Sequence, residues 1–221
     1  MNKSVYTVIL ARLGSTRLPS KMIKDICGIS VIEFLFKRAK NLQSWPNVIL
    51  ATSDKQKDDK LEELAIRSGI EVFRGPENDV AKRFALSVKD KDCKWIHRLN
   101  GDNVFFDFEK INEAMAMINN IDDEIISNVN ETHISGFSVE IINRDSYDNA
   151  YKMMNLDEKE HVTKYFYRSE DKKIFWMKNR PGLRPLALDT EDDYKKIIKL
   201  TNNPYNFSFE TPISKMIDAL K

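Results

Sequence analysis

Cationic and small residues alternate between Arg12 and Lys21, a segment called here the basic loop. Arg12, Arg17 and Lys21 supply positive charge, while Gly14 and Ser15 supply accessible backbone N–H groups and a hydroxyl. Arginine presents forked, planar donors that suit phosphate oxygens, and successive backbone N–H groups can cradle an anion. A solvated basic turn is the alternative interpretation. The segment has neither the P-loop motif nor the glycine fingerprint of dinucleotide sites, so it would hold phosphate in another way.

Two aspartates stand where a metal ion beside phosphates would need them. Asp102 follows a predicted strand and a glycine, and Asp189 directly follows an apolar run that ends at Leu188. Magnesium in nucleotide sites takes one or two carboxylates together with phosphate oxygens and waters. The alternatives are that Asp102 forms a turn and that Asp189 caps a helix that starts near Thr190. The residues alone leave both alternatives open.

Apolar runs and amphipathic segments alternate through residues 5–120. The predicted strands are Val5–Ala11, Asn47–Thr52, Ile70–Arg74 and Lys94–Leu99, and the predicted helices are Val31–Leu42, Lys55–Ser68, Asp79–Lys89 and Asp107–Asn119. This alternation with short connections predicts an open, mostly parallel, Rossmann-like α/β sheet with helices on both faces. Ligands of such sheets bind beyond the carboxyl ends of the strands. The basic loop and Asp102 should therefore meet at one edge.

The pattern becomes mixed from residue 121 onward. Strands are predicted at Glu124–Asn130, Gly136–Ile142, Lys173–Lys178 and Arg184–Leu188, and helices at Arg144–Met154, Glu158–Arg168 and from Thr190 onward. This order indicates that the sheet continues with an antiparallel excursion. We therefore expect a single domain over residues 1–221, with residues 1–120 as one half and residues 121–221 as the other.

Composition narrows the class of protein. Lysine plus arginine (35) nearly balances aspartate plus glutamate (34), so the net charge favours neither nucleic-acid binding nor disorder. No apolar run approaches the roughly 20 residues of a membrane span, and Val5–Ala11 lacks the features of a signal peptide. The two cysteines, Cys27 and Cys93, are too few for a disulfide scaffold. Reduced thiols in a cytoplasmic protein are expected.

Five short blocks resemble the motifs of one enzyme family. Residues 11–21 read ARLGSTRLPSK, followed by FRGPENDV at 73–80, NGD at 100–102, EHVT at 160–163 and LDTED at 188–192. The first block is highly specific, and the order and spacing of the others agree with it. Together they resemble the cytidylyltransferases that make CMP-linked acidic sugars, in the branch named for spore-coat polysaccharide biosynthesis. The 3-deoxy-manno-octulosonate (Kdo) cytidylyltransferases are a neighbouring branch.

The chain departs from the family pattern at several positions. Leu10 stands where the family usually has glutamine, and Ser20 where it has glycine. Asn103-Val104 follows the Gly-Asp pair, where a proline is common. Ser138 replaces an acidic residue in a segment that resembles the sugar side. The resemblance is therefore stronger at the nucleotide end than at the sugar end.

The resemblance implies a Mg²⁺-dependent enzyme of surface polysaccharide biosynthesis. The reaction would transfer CMP from CTP to an acidic sugar of the 2-keto-3-deoxy type and release pyrophosphate. The resemblance places Mg²⁺ on Asp102 and Asp189. The catalytic residues would be Arg12, Arg17, Lys21 and Asp102, and the nucleotide-binding residues Leu10, Ala11, Arg12, Gly14, Ser15, Arg17, Lys21, Arg74 and Asn100.

The resemblance also assigns roles to the second half of the chain. Glu140 and His161 would line the sugar pocket. Relatives are homodimers that use this half for contact, so residues 121–221 would bind the sugar, contribute to the metal site and dimerise. Residues 1–120 would bind the nucleotide. The expected partners are CTP, a small acidic sugar and a second copy of the chain, without nucleic acid or membrane insertion.

Three alternative functions remain open on the sequence. A nucleotidyltransferase for a sugar phosphate or polyol phosphate would need extra cations at the sugar end, where Arg144, Lys164 and Arg168 are available. A nucleotide-sugar glycosyltransferase would normally show an Asp-x-Asp motif after the fourth strand, where NGDN stands instead. A non-catalytic nucleotide-binding protein would fit the departures at Leu10 and Ser138.

Overall fold

The described chain builds one seven-stranded sheet and a separate two-stranded hairpin. The computed structural model describes residues 4–202 and 208–220. The strands are β1 (Val5–Leu10), β2 (Asp25–Ile26), β3 (Ile29–Ser30), β4 (Val48–Ser53), β5 (Glu71–Gly75), β6 (Trp95–Asn100), β7 (Ile125–Ser127), β8 (Glu140–Asn143) and β9 (Ile174–Trp176). The helices are α1 (Val31–Ala39), α2 (Asp59–Arg67), α3 (Val80–Leu86), α4 (Phe108–Met117), α5 (Arg144–Met153), α6 (Leu156–His161), α7 (Lys164–Arg168), α8 (Glu191–Thr201) and α9 (Ile213–Leu220). Single 3-10 turns occur at Lys21–Ile23 and Gln56–Asp58.

The central sheet is mostly parallel, in the order β5-β4-β1-β6-β8-β7-β9. β1 is parallel to β4 and β6, and β4 is parallel to β5. β8 runs antiparallel to β6 and β7, while β9 is parallel to β7. The predicted fold class, a mostly parallel sheet with an antiparallel excursion, is confirmed. Leu10 at the end of β1 lies beside Asn100 at the end of β6, so the loops that follow leave the sheet at the same edge.

Helices cover both faces of the sheet. Successive strand residues point to opposite faces, and Val5 and Ile9 accordingly pack in one apolar cluster while Val8 and Leu10 pack in another. The first cluster includes buried residues of α1, α2 and α4, and the second includes buried residues of α3, α5 and α7. The described helices are all too short or too polar to span a lipid bilayer.

Local sequence signals set several helix ends. Ser30 and Glu33 form a capping box at the start of α1, in which each side chain accepts a hydrogen bond from the other residue's backbone N–H. Thr190 and Asp193 form the same box at α8. Helix α2 is followed by Gly69 with φ +72°, a left-handed conformation that favours glycine. Gly69 therefore ends α2.

The helix predicted over Glu158–Arg168 is wrong, because the chain forms two helices there. The break lies at Val162, which has φ +61° and ψ −56°. The Thr163 N–H donates to the His161 carbonyl oxygen at 2.6 Å across it. This is a γ-turn of the rare, strained form. Neither glycine nor proline marks it, so the sequence offers no signal for the break.

The strand predicted over Arg184–Leu188 is also wrong. This segment makes isolated backbone hydrogen bonds rather than a ladder: the Leu186 N–H donates to Ser135 at 2.9 Å and the Leu188 N–H to Asp102 at 2.8 Å. The strand predicted from Gly136 begins only at Glu140, as β8. The segment ahead of residue 189 therefore lies across two loops and does not extend the sheet.

Candidate active site

A cleft of about 450 Å³ opens at the carboxyl edge of β1 and β6. The basic loop lines part of it, and Val80 of α3 and the end of α6 line another part. This is the position at which parallel α/β sheets bind ligands. Of the residues predicted for the nucleotide site, those that line the cleft are Leu10, Ala11, Arg12, Gly14, Ser15, Arg17, Lys21 and Asn100.

The basic loop is fastened to the sheet by a buried carboxylate. The Leu13 N–H donates to Asp58 Oδ1 at 2.7 Å, and the hydroxyl of Ser53 donates to Asp58 Oδ2. Within the loop, the Leu18 N–H donates to Ser15 Oγ at 3.3 Å. The arginines of the loop thus project from a backbone that is braced against the ends of β4 and α2.

Asp102 and Asp189, called here the carboxylate pair, are brought together by the backbone. The Leu188 N–H donates to the Asp102 carbonyl oxygen, which places the next residue beside Asp102. Lys21 Nζ lies 3.1 Å from Asp189 Oδ1 and 3.7 Å from Asp102 Oδ2. Arg17 Nη2 lies 3.1 Å from the same Asp189 oxygen. The carboxylate pair therefore shares a cation from the basic loop.

Gly136 allows the chain to reach this arrangement. Its φ is +100°, and an added Cβ would lie 2.8 Å from the Leu186 carbonyl carbon and 2.8 Å from the Ala187 nitrogen. The segment ahead of Asp189 therefore passes over Gly136 at a distance that a side chain would prevent.

Asp189 does not cap a helix, so that alternative is wrong. Thr190 is the N-cap of α8, because its Oγ1 accepts from the Asp193 N–H at 3.2 Å. The Asp189 side chain instead accepts a hydrogen bond from Lys21 Nζ. Asp102 does lie in a turn, yet its carboxylate also faces Lys21.

The carboxylate pair fits a divalent cation that is bound together with phosphates. Two carboxylates that flank one ammonium group have the geometry to hold positive charge between them, as the contacts of Lys21 show. Magnesium needs only one or two carboxylates when phosphate oxygens and waters complete its octahedron. The part of the chain that the structure describes has no cluster of three or more His, Cys, Asp or Glu side chains suited to a metal ion.

Arg83 and Arg98 also line the cleft, and the sequence analysis missed both. Arg83 is 2% exposed, and its Nη1 donates to the carbonyl oxygens of Pro76 and Glu77. Burial, together with the charge of Arg12, lowers the pKa of Arg83, although an arginine stays protonated at neutral pH. The sequence signal for Arg83 was a charged residue on the buried face of α3, next to Phe84.

The two predicted sugar-side residues have different surroundings. His161 lines the cleft at the end of α6, and its side chain is 57% exposed. Glu140 is 1% exposed and is not among the cleft-lining residues. Burial alone would raise the pKa of Glu140, but the Arg98 charge and hydrogen bonds from Tyr167 hold it below its usual range. Glu140 is therefore an anion beneath the cleft.

Arg74 is not brought to the cleft. Its Nη1 donates to Asp59 Oδ1 and Glu62 Oε2, each at 2.6 Å, and its Nε donates to the Ser53 carbonyl oxygen at 3.0 Å. These bonds raise the pKa of Arg74 and turn it toward α2. The prediction that Arg74 binds the nucleotide is not supported, because its guanidinium is committed to the helix beside it.

Comparison with known families identifies the class of protein. The cytidylyltransferase family model matches residues 6–213. The chain belongs to the cytidylyltransferase family. The members of this family are nucleotidyltransferases, and so is this cytidylyltransferase, which removes the glycosyltransferase alternative.

Individual relatives agree with the family match. The cytidylyltransferase is 32% identical to the spore coat polysaccharide biosynthesis protein SpsF of Bacillus subtilis (strain 168), over 89% of this chain and 85% of that protein. It is 24% identical to a 3-deoxy-manno-octulosonate cytidylyltransferase of Flavobacterium johnsoniae, over 75% of this chain and 64% of that one. A solved cytidylyltransferase from Leptospira borgpetersenii serovar Hardjo-bovis has a TM-score of 0.91 and 28% identity, covering 98% of this chain and 93% of its own. The predicted resemblance and the nucleotidyltransferase fold are confirmed.

Proposed function

We propose that this cytidylyltransferase transfers CMP from CTP to an acidic sugar of the 2-keto-3-deoxy type. The observation that carries the proposal is the meeting of the basic loop with the carboxylate pair at one edge of the sheet. Cations for phosphates and carboxylates for a metal ion are the parts that transfer from a nucleoside triphosphate needs. The sugar class is supported by the relative named for 3-deoxy-manno-octulosonate.

The proposed reaction is a single displacement at phosphorus. A hydroxyl oxygen of the acceptor loses its proton to solvent, attacks the α-phosphorus of CTP and forms a new O–P bond, while the bond to the bridging oxygen breaks and pyrophosphate leaves with the electron pair. The protein needs to hold the attacking and leaving oxygens in line and to neutralise charge. Arg12, Arg17 and Lys21 stabilise the β- and γ-phosphates as they leave, and the Ser15 hydroxyl donates to a phosphate oxygen.

Asp102 and Asp189 are the proposed holders of Mg²⁺. When bound, the ion polarises the α-phosphoryl oxygen and lowers the pKa of the attacking hydroxyl. Lys21 lies between the carboxylates in the structure described here. In the nucleotide complex its ammonium group turns from the carboxylate pair to the phosphates, so the basic loop exchanges one anionic partner for another.

The cytosine base is assigned to the side of the cleft nearest the end of β1. The Leu10 carbonyl oxygen accepts from the Gly101 N–H at 2.9 Å, which leaves its second lone pair for a ligand. Backbone groups of Leu10 and Ala11, together with the side chain of Asn100, read the base. His161 stands at the sugar end of the same cleft.

The cellular setting follows from the same proposal. The relative named for spore coat polysaccharide biosynthesis supports a role in making surface polysaccharide. We place the enzyme in the cytoplasm, where CTP is made, and we propose a homodimer with its interface in residues 121–221.

A pyrophosphate-release assay tests the proposal. CTP, UTP, ATP and GTP are each supplied with Mg²⁺ and a panel of keto-acid sugars and phosphorylated sugars. Release with CTP and a keto-acid sugar, abolished by EDTA, is expected. A preference for a purine nucleotide would contradict the cytidylyl assignment and leave the fold untouched.

A further inference from the structure

Arg98 is a charged residue on β6, a strand whose other residues apart from Asn100 are buried. It lies on β6 two residues before Asn100, and its side chain, 15% exposed, lines the cleft. The register of β6 and β8 pairs Trp95 with Asn143 and His97 with Ile141. One more step of the same register sets Arg98 opposite Glu140. Residues opposite one another in an antiparallel pair share a face, so the two charges meet beneath the cleft.

The Arg98 guanidinium is held in one orientation from below. Its Nη1 donates to Glu140 Oε2 and to Thr163 Oγ1, the latter at 3.3 Å. Glu140 is itself held, because the Tyr167 hydroxyl donates to its other oxygen at 2.6 Å. Tyr167 contacts Ser127 Oγ at 2.8 Å and stacks on Trp176. A chain of bonded and stacked side chains thus fixes the plane of the guanidinium.

The opposite edge of this guanidinium has no partner. Nε is buried and unpaired, and within the described chain only Nη1 of Arg98 makes hydrogen bonds. Nε and Nη2 form the fork that matches two oxygens of one carboxylate or phosphate. Arg180 shows that use in this same protein: its Nε and Nη2 donate to the two oxygens of Asp107 at 2.6 and 3.2 Å. In Arg98 the same two atoms have no partner in the described chain, but Nε is fully buried, so Nη2 is the nitrogen left to face the cleft.

The strained turn at Val162 contributes to this arrangement. The γ-turn redirects the chain so that Thr163 reaches Arg98, while Glu160 and His161 line the cleft. Backbone strain of this kind persists where the surrounding structure holds it, and it concentrates at functional sites. The turn therefore places a polar wall around the free edge of Arg98.

The other cations considered for the sugar side are engaged elsewhere. Arg144 donates to the carbonyl oxygens of Lys89, Lys91 and Cys93, ahead of the first residue of β6. Lys164 pairs with Asp157, and Arg168 pairs with Glu158 at 2.6 Å. None of these three lines the cleft.

We propose that Arg98 binds the anionic group of the acceptor sugar through its Nη2 atom, and that Glu140 and Thr163 are positioning residues that hold it for this contact. The inference rests on the proposed cytidylyl transfer and adds the contact that selects the acceptor. It also gives Glu140 a role that its burial permits, since it acts through Arg98 rather than on the sugar. The group bound is a carboxylate or a phosphate, which present the same paired oxygens.

The test compares acceptors that differ in this group. Pyrophosphate release is measured with CTP, Mg²⁺ and either 3-deoxy-manno-octulosonate, its neutral methyl ester or glucose 1-phosphate. In the wild type, the ester is expected to have a kcat/KM roughly 10- to 100-fold below that of the acid, the loss of a charge-assisted hydrogen-bonded pair. This comparison requires no variant and so no assumption about folding.

The matching variant is Arg98→Lys, which keeps the charge and removes the guanidinium with its directed Nη2 donor. The KM for the anionic acceptor should rise roughly 10- to 100-fold while kcat/KM for the ester stays within about threefold. The dissociation constant for CTP, from calorimetry, should stay within about twofold. Arg168→Lys, which alters another arginine–glutamate pair outside the cleft, is the control and should leave all three quantities unchanged. Glu140→Gln should raise the acceptor KM without changing CTP binding, and Glu140→Asp should partly restore it.

The outcomes separate this inference from the proposed function. A wild-type enzyme that does not bind CTP would contradict the proposed function itself. Normal CTP binding with equal use of acid and ester, or an Arg98→Lys enzyme with an unchanged acceptor KM, would overturn the role of Arg98 alone. If glucose 1-phosphate is the preferred acceptor and Arg98→Lys removes that preference, the anion contact is supported and the bound group is a phosphate. A wild type that binds CTP but neither anionic acceptor would also overturn the inference.

Discussion

Arg17 allows the charge of the basic loop to be tested without disturbing the fold. Its side chain is 69% exposed and its ion-pair partner is Asp189. Arg17→Ala should lower kcat/KM roughly 100- to 1,000-fold, the effect of removing one donor that stabilises transition-state charge. The melting temperature should move by no more than about 1 °C, because exposed ion pairs contribute little to stability.

Arg67→Ala is the matched control for this experiment. Arg67 is similarly exposed at 61% and pairs with Glu33 at 2.8 Å, among residues that do not line the cleft. Its removal should change neither kcat/KM nor the melting temperature. Equal activity of the two variants would identify the basic loop as a solvated turn.

Asp189 allows the metal role to be separated from a structural one. Because Thr190 caps α8, both Asp189→Asn and Asp189→Ala should keep melting temperatures within about 2 °C of the wild type. Both should lose activity by orders of magnitude, with partial recovery of the Asn variant in Mn²⁺. Pyrophosphate release and thermal melting provide the two readouts. A fully active Asp189→Asn enzyme would remove Asp189 from the metal site.

The sequence predicted those site residues that stand in loops after strands. The basic loop and Asp102 belong to this class, because a charged residue after an apolar run points to the ligand edge of a sheet. Arg83 and Arg98 could not be found in the same way. A charged residue inside a buried element is indistinguishable, in one sequence, from a residue with a purely structural partner. Glu140 is the partner of Arg98, and only the strand register reveals it.

At the scale of elements, Gly136 controls where the segment ahead of Asp189 can lie. Gly136→Ala forces a Cβ against the backbone of Leu186 and Ala187 and also strains a φ of +100°. The variant should lose roughly 1–3 kcal/mol of unfolding free energy and most of its kcat, since the carboxylate pair would be pulled apart. Urea denaturation and steady-state kinetics measure the two effects.

Gly69→Ala is the control that introduces backbone strain without moving the segment ahead of Asp189. Gly69 has φ +72°, but a Cβ there would meet no atom within 4 Å. It follows α2, and the cleft-lining residues do not include it. A loss of stability with unchanged kcat is expected. If both glycine variants kept full activity, the position of Asp189 would not depend on Gly136.

Elements of the first half could be predicted, and those of the second half only in part. β1, β4 and β6 have six residues each, with apolar residues in every one, and are long enough to be distinguished by pattern. β7 and β9 have three residues each and β8 has four, lengths at which helix and strand patterns overlap. The reversal of β8 and the break at Val162 depend on tertiary contacts that local pattern does not encode.

At the scale of the whole molecule, a buried histidine couples stability to pH. His97 is fully buried, its Nδ1 lies 3.1 Å from Thr7 Oγ1 and its Nε2 has no partner in the described structure. Burial lowers the pKa of His97 to about 3. The unfolded chain takes up a proton below about pH 6.5 while the folded chain does not, so stability falls as the pH drops toward 3.

The size of this effect can be measured between pH 7 and pH 5. His97 should contribute a loss of about 2 kcal/mol of unfolding free energy over this interval. His97→Gln lacks the titrating group, so its unfolding free energy should depend on pH less steeply by that amount. Urea denaturation of both proteins at both pH values gives the comparison. The contribution of the carboxylates to the pH dependence is the same in the two proteins and cancels in the difference. Parallel pH profiles would show that His97 does not titrate as described.

Because the backbone hydrogen bond from Leu188 to Asp102 joins distant parts of the sequence, the carboxylate pair can form only late in translation. A ribosome completes β1, β4, β5 and β6, and with them the basic loop and Asp102, well before it reaches residue 189. Domains gain structure from the N-terminal side as they are made. A nascent chain of that length carries the cations of the basic loop but only one carboxylate of the pair. In a translation reaction in vitro, pyrophosphate release should therefore begin only after the growing chain includes Asp189 and Asp189 lies beside Asp102.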